Sequence, residues 1–170
     1  STSSGTVTVS RNGDLVSNVY VRCNQDTSNG ISGDKLISSV ELEIGGQRID
    51  KHNQEWLQVW AELTTPESKA DGFKCMTGAC NIPNVNVVGE VHVPLNFWFC
   101  RNAGLALPLI ALQYHEVKVV MKLGFNGMTN TPEVSLWADY IYLDTDERRR
   151  FAQVSHEYLI EQLQKNSLAS

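Results

Sequence analysis

Three acids, Asp144, Asp146 and Glu147, run into three arginines, Arg148, Arg149 and Arg150, within the stretch "YIYLDTDERRRFAQ". Adjacent guanidinium forks match phosphate oxygens well, so one chemistry open to this run is an anion clamp for phosphate or nucleic acid. The acids argue against it, because they nearly neutralise the arginines and leave little local positive field. A strip that binds nucleic acid carries excess basic charge and exposed stacking rings without interleaved acids. The run therefore reads as structural. Arg148 and Arg149 are expected to pair with Asp144, Asp146 or an acid from another segment, fixing the junction that enters the last strand.

Other chemistries find weaker support. Cys75 and Cys80, in "CMTGAC", have the spacing of half a zinc knuckle, but no second pair follows. Cys100 stands in an expected strand, and the nearest histidine is His92. With no secretory signal, Cys23, Cys75, Cys80 and Cys100 read as thiols rather than two disulfides, and no N-glycosylation sequon is present. A cupin-type metal enzyme needs several histidines and a carboxylate converging from neighbouring strands. Here His52, His92, His115 and His156 are isolated, and sequence neighbours on a strand face opposite sides. No G-x-S-x-G elbow or activated cysteine is visible, and "GDKLISS" lacks the upstream glycine of a phosphate loop. Asp139, Asp144 and Asp146 lie close together, yet nothing sets two apart as acid and nucleophile for glycoside cleavage. No catalytic, metal or cofactor-binding residue is assigned, and no cofactor is expected.

The bulk properties agree. A chain of 170 residues fits one domain with a core of its own. A net charge of −5 repels nucleic acid as a whole-chain field. Apolar stretches are broken by Pro, Asn or charge well short of membrane-spanning length. The opening "STSSGTVTVS" has neither the basic residues nor the apolar run of a signal peptide, and no initiator Met, as a processed or excised piece would.

The elements that position these residues are mostly strands. Residues 1–5 read as a flexible lead-in. Period-2 alternation then places Val19, Val21 and Cys23 on one face of "VYVRC", and Val40, Leu42 and Ile44 opposite Glu41 and Glu43 in "VELEI". "IGGQRI" reads as a hairpin, since paired glycines supply the positive φ of a tight turn. "EVHVPLNFWFC" puts Val91, Val93, Leu95, Phe97 and Phe99 on one face, with Pro94 marking an edge or bulge. "HEVKVVMKLGF" repeats the pattern with Val117, Val119, Met121, Leu123 and Phe125 inward. "EVSLWADYIYL" is apolar on both parities and is expected to be covered on both sides, while "SHEYLIEQLQ" fits a last strand or a short helix. "DKHNQEWLQVWAEL" breaks the period: Trp56, Val59, Trp60 and Leu63 form a helical stripe, with Asn53 or Asp50 as cap and Pro66 beyond. Clusters at 24–34, 68–89 and 124–132 read as loops. The expected class is all-β, an antiparallel sandwich with one short helix in a loop connection. Pattern alone does not separate a jelly roll from an immunoglobulin-type sandwich.

Four long blocks carry a resemblance: "SRNGDLVSNVYV", "VELEIGGQRIDKH", "PLNFWFCRNAGLALPLIALQYHEVKV" and "LDTDERRRFAQVSHEYLIEQ". Together they resemble the major capsid proteins of large nucleocytoplasmic DNA viruses, the iridovirus and phycodnavirus group. The resemblance implies a jelly roll, the first of two in such proteins. It places a single domain at 6–163 with a tail at 164–170, and lacks the family's usual first strand and second jelly roll. It also implies homotrimeric, pseudo-hexagonal capsomers tiling an icosahedral shell around an internal membrane. Partners would be other copies, neighbouring capsomers and minor capsid or penton proteins, in virions assembled in the host cytoplasm. Neither enzyme activity nor nucleic-acid binding is implied.

Trp56, Trp60, Phe97, Trp98 and Phe99 are then core residues or subunit anchors. The rival readings are a lectin-like glycan-binding jelly roll and, more distantly, the cupin-type enzyme.

Overall fold

The computed structural model describes residues 2–24, 33–78, 90–124 and 133–166. Its strands are β1 (Thr2–Thr8), β2 (Leu15–Asn24), β3 (Ile37–Ile44), β4 (Gln47–Asn53), β5 (Glu90–Leu95), β6 (Leu107–Pro108), β7 (Val117–Gly124) and β8 (Glu133–Ile141). The helices are α1 (Gly33–Leu36), α2 (Gln54–Thr64), α3 (Glu67–Met76) and α4 (Thr145–Gln153). Every strand pairing is antiparallel, and the strands form two layers. One sheet has the order β1-β7-β3-β4. In the other, β2 lies between β8 on one side and β5 and β6 on the other.

Alternation explains why the layers close. Val19, Val21 and Cys23 of β2 are buried with Val91, Val93 and Leu95 of β5. They meet Val40 and Leu42 of β3 and Val117, Val119, Met121 and Leu123 of β7 in one cluster. Each such side chain contributes about 1.5–3 kcal/mol when fully removed from water. Pro94 sits opposite Tyr20 on β5, which pairs only with β2 among the described residues. An edge strand tolerates the missing N–H. The β3–β4 hairpin turns through Gly45 (φ 59°) and Gly46 (φ 81°), the double positive φ of a two-residue turn matched to strand twist.

The structure differs from the sequence reading in six places. The lead-in is a strand: Thr2–Thr8 pairs with β7, held by ladder hydrogen bonds since most of its side chains are exposed. The helical content exceeds one short helix, because the expected 68–89 loop begins as α3 and "DTDERRRFAQ" forms α4. The strand through "EVHVPLNFWFC" ends at Leu95, after which Trp98–Cys100 turns as 3-10 helix and buries Trp98 together with Phe97 and Phe99. On α2 the buried residue is Leu57; Val59 and Leu63 face solvent, while Trp56 and Trp60 are half-buried. The stripe is apolar, but the helix is rotated so that Leu57, outside it, is the residue that joins the core cluster.

Lastly, β8 is covered on one side only. Val134, Leu136, Ala138 and Tyr140 pack on the core, whereas Trp137 on the opposite face is 47% exposed. The segment "SHEYLIEQLQ" is neither strand nor helix, and residues 154–166 run irregularly over the surface. Phe125 and Cys80 lie outside the described residues.

The hairpin makes a direct test possible. A Cβ at Gly46 meets nothing within 4 Å, whereas one at Gly45 lies 2.7 Å from the His115 ring. Gly46→Ala is expected to cost about 1–2 kcal/mol from positive φ alone, and Gly45→Ala more, as read by thermal or denaturant unfolding.

Candidate functional site

The acid-arginine run is organised by a helix start. Asp144 is the N-cap of α4, and its Oδ1 accepts the Glu147 N–H at 2.8 Å. Asp146 and Glu147 fill the first turn and Arg150 the last, the charge order that suits the helix dipole. Helical spacing turns Arg148 inward, and its Nη2 donates to Asp14 Oδ2 at 3.0 Å. Arg149 instead reaches Asp146 at 3.7 Å with both side chains largely in water, a contact that adds little.

Asp14 was not singled out from sequence, yet it is the centre of this junction. It is buried, and the same Oδ2 accepts the Leu143 N–H at 2.8 Å. Its backbone N–H donates to the Ile141 carbonyl at 3.1 Å, and its carbonyl accepts from the Ile110 N–H at 3.2 Å. One residue thus ties the start of β2, the end of β8, the turn after β6 and the entry of α4. The Leu143 N–H holds its carboxyl below the usual range; burial opposes this and the Arg148 guanidinium reinforces it. Only the spacing of an acid just before a strand could have hinted at this role.

A second buried carboxylate lies on β4. Asp50 and His52 share a face of the strand, both inaccessible, with Oδ2 and Nε2 2.9 Å apart. His52 stacks on Phe97 at 4.8 Å between ring centroids, and Trp56 stands 6.3 Å away. Asp50 Oδ1 accepts the Lys51 N–H at 2.8 Å and the Leu163 N–H at 3.1 Å. Burial alone would raise this carboxyl; His52 and the two N–H donors outweigh it and hold it low. Asp50 is therefore no helix cap. It anchors the irregular C-terminal segment, with Gln162 donating to the Ile49 carbonyl, Arg101 pairing with Glu161 and Lys165 reaching Glu55 at 3.3 Å. Lys165, read from sequence as part of a tail, is thus engaged.

The aromatic candidates divide. Phe97, Trp98 and Phe99 are core, with the Trp98 and Phe99 rings edge to face at 84°. Trp56 and Trp60 lie 5.6 Å apart on α2, and the Arg101 guanidinium sits 4.2 Å from the Trp60 ring, a cation–π contact. None of these meets the DERRR run. The described residues contain no group of three or more His, Cys, Asp or Glu able to hold a metal. Burial pushes the Cys100 thiol up to about 12, which leaves it a poor nucleophile.

Comparison with known proteins decides the family. The profile described as the major capsid protein N-terminus matches residues 2–128. The chain belongs to the major capsid protein family. It is 51% identical to the major capsid protein of Pyramimonas orientalis virus, over 94% of this chain and 45% of that protein. With the major capsid protein of Paramecium bursaria Chlorella virus 1 it shares 44% identity over 92% of this chain and 40% of the relative. It thus spans less than half the length of these relatives. Among solved structures, a quasi-atomic model of the PBCV-1 virus capsid superposes with a TM-score of 0.83 at 41% identity, covering 95% of this chain and 43% of that one. The sandwich is accordingly the jelly roll expected from the resemblance.

Within this major capsid protein chain, the two buried carboxylates make separable predictions. Arg148→Ala is expected to lower stability by about 1 kcal/mol, moderated because half of its side chain is in water, while Arg149→Ala leaves the melting temperature unchanged. The Asp14 contribution is complete above about pH 4 and is lost as pH falls through its lowered value, so Arg148→Ala should show a smaller acid loss. Asp50→Ala, which strands His52, should cost on the order of 3 kcal/mol and abolish hydrogen-exchange protection at Leu163.

Proposed function

We propose that this chain is the N-terminal jelly roll of a viral capsid shell protein, acting through shape and self-association and not through catalysis. The observation that carries the reading is the 41% identity and 0.83 TM-score against the PBCV-1 virus capsid over 95% of the chain. The jelly-roll unit is taken to run from β1 through the docked C-terminal segment. In the whole protein it forms homotrimeric, pseudo-hexagonal capsomers that contact neighbouring capsomers and minor proteins. Assembly takes place in the host cytoplasm, with an internal membrane near the shell's inner side.

Two features support a role in contacts. Large apolar side chains are left in water at separate places: Leu63 on α2 at 77%, Tyr114 at 92% and Leu159 at 88% exposure. Exposed anchors of this kind fit surfaces that a second subunit covers. The two buried carboxylates, meanwhile, join segments of the chain, with Asp14 and Asp50 each receiving backbone N–H donors.

The test is the full-length gene product in sedimentation velocity and negative-stain electron microscopy. A trimer of hexagonal outline is expected. A monomer at micromolar concentration, with no ordered assembly on concentration, would sink the proposal.

A further inference from the structure

The outward face of the β5-β2-β8 layer carries a feature that core packing does not use. Tyr20 and Trp137 stand directly opposite each other in register, with ring planes 17° from parallel and centroids 6.4 Å apart. That separation is at the far end of an offset stack and leaves much of the indole uncovered. The indole is held in place: its Nε1–H donates to Ser135 Oγ at 3.0 Å, and the Arg22 guanidinium lies 5.7 Å from its centroid. His92 flanks Tyr20 at 5.9 Å on the other side.

Planar polar groups surround the rings. Arg22 pairs with Glu90 across the strand boundary, and Asn18 Nδ2 donates to Asp139 Oδ2 at 3.1 Å. We infer that this face is a carbohydrate-binding surface for neutral pyranose oligomers. A pyranose ring presents an apolar face of C–H groups to the negative face of an indole, and a rim of hydroxyls to paired donors and acceptors. An exposed indole beside a half-buried phenol ring, flanked by a guanidinium, a carboxylate and an amide, supplies both. Three strands make the face about 10 Å wide, enough for more than one sugar ring.

Charge selects the ligand class. Arg22 is compensated by Glu90, and Asp139 is engaged by a neutral amide, so the face offers no surplus positive charge to a polyanion. A second copy of the chain is the less suitable occupant, because acids are depleted from the core of a protein interface, and here Glu90 and Asp139 stand among the rings. The inference does not rest on the capsid reading.

The test is calorimetric titration of the purified chain with maltohexaose, cellohexaose, mannohexaose and chitohexaose, with a heparin hexasaccharide as the anionic control. At least one neutral oligomer should bind, heparin should not, and Trp137→Ala should weaken binding by about tenfold or more, with Asn18→Ala weakening it less. Melting curves confirm that both variants are folded. Absence of binding across the neutral panel, equal binding of heparin, or affinity unchanged by Trp137→Ala overturns the proposal. A change in sedimentation of Trp137→Ala also overturns it, because the face would then be a contact between copies.

Discussion

Asp14 brings a carboxylate to a place where water cannot surround it, so its partners must come from the chain. They come from far away in sequence: the Leu143 N–H and the Arg148 guanidinium, while its own backbone joins Ile141 and Ile110. Because a stranded buried charge is far more costly than a lost neutral contact, this one residue constrains four segments at once. The position of α4 and the hand-over from β8 into that helix both follow from it. Asp50 does the same on the other sheet, where the irregular C-terminal segment would otherwise have only scattered surface contacts.

The sandwich itself is what an antiparallel fold does with alternating sequence. Each sheet buries one parity, and the aromatic layer of Phe97, Trp98 and Phe99 fills the space where β5 ends. His52 is included in that layer by stacking on Phe97, so the buried Asp50–His52 pair is part of the core and not a solvent-facing dyad. This explains why titratable groups in the middle of a protein can be structural: their neighbours here are rings and backbone donors, and both side chains are inaccessible to water.

Much of the architecture was legible in the residues. The period-2 runs located β2, β3, β5 and β7, and Gly45-Gly46 located the hairpin, because local rules of strand and turn decide those features. The failures have a common cause in long-range partners. The β1 strand has too few apolar residues to announce itself and exists through ladder bonds to β7. The run "DTDERRRFAQ" lacks a clear apolar stripe, so its helix rests on the Asp144 cap and the Arg148 contact. Asp14 and Asp50 look like ordinary surface acids until the segments that supply their donors are known. For the aromatic face, the double parity of "EVSLWADYIYL" was visible, but which side stayed open was not.

The strand order has one more consequence, for how such a chain is made. Thr2 pairs with Gly124 and Leu15 with Ile141, while among the described residues only β3 and β4 are neighbours through a tight turn. During synthesis from the N-terminus, the early strands therefore emerge with their inner faces and edges unpaired: the β1-β7-β3-β4 sheet cannot close until β7 has left the ribosome, nor the other until β8 has. A chain with this topology spends that interval as a collection of open sheet edges, and its folding yield depends on how quickly closure outruns pairing between chains.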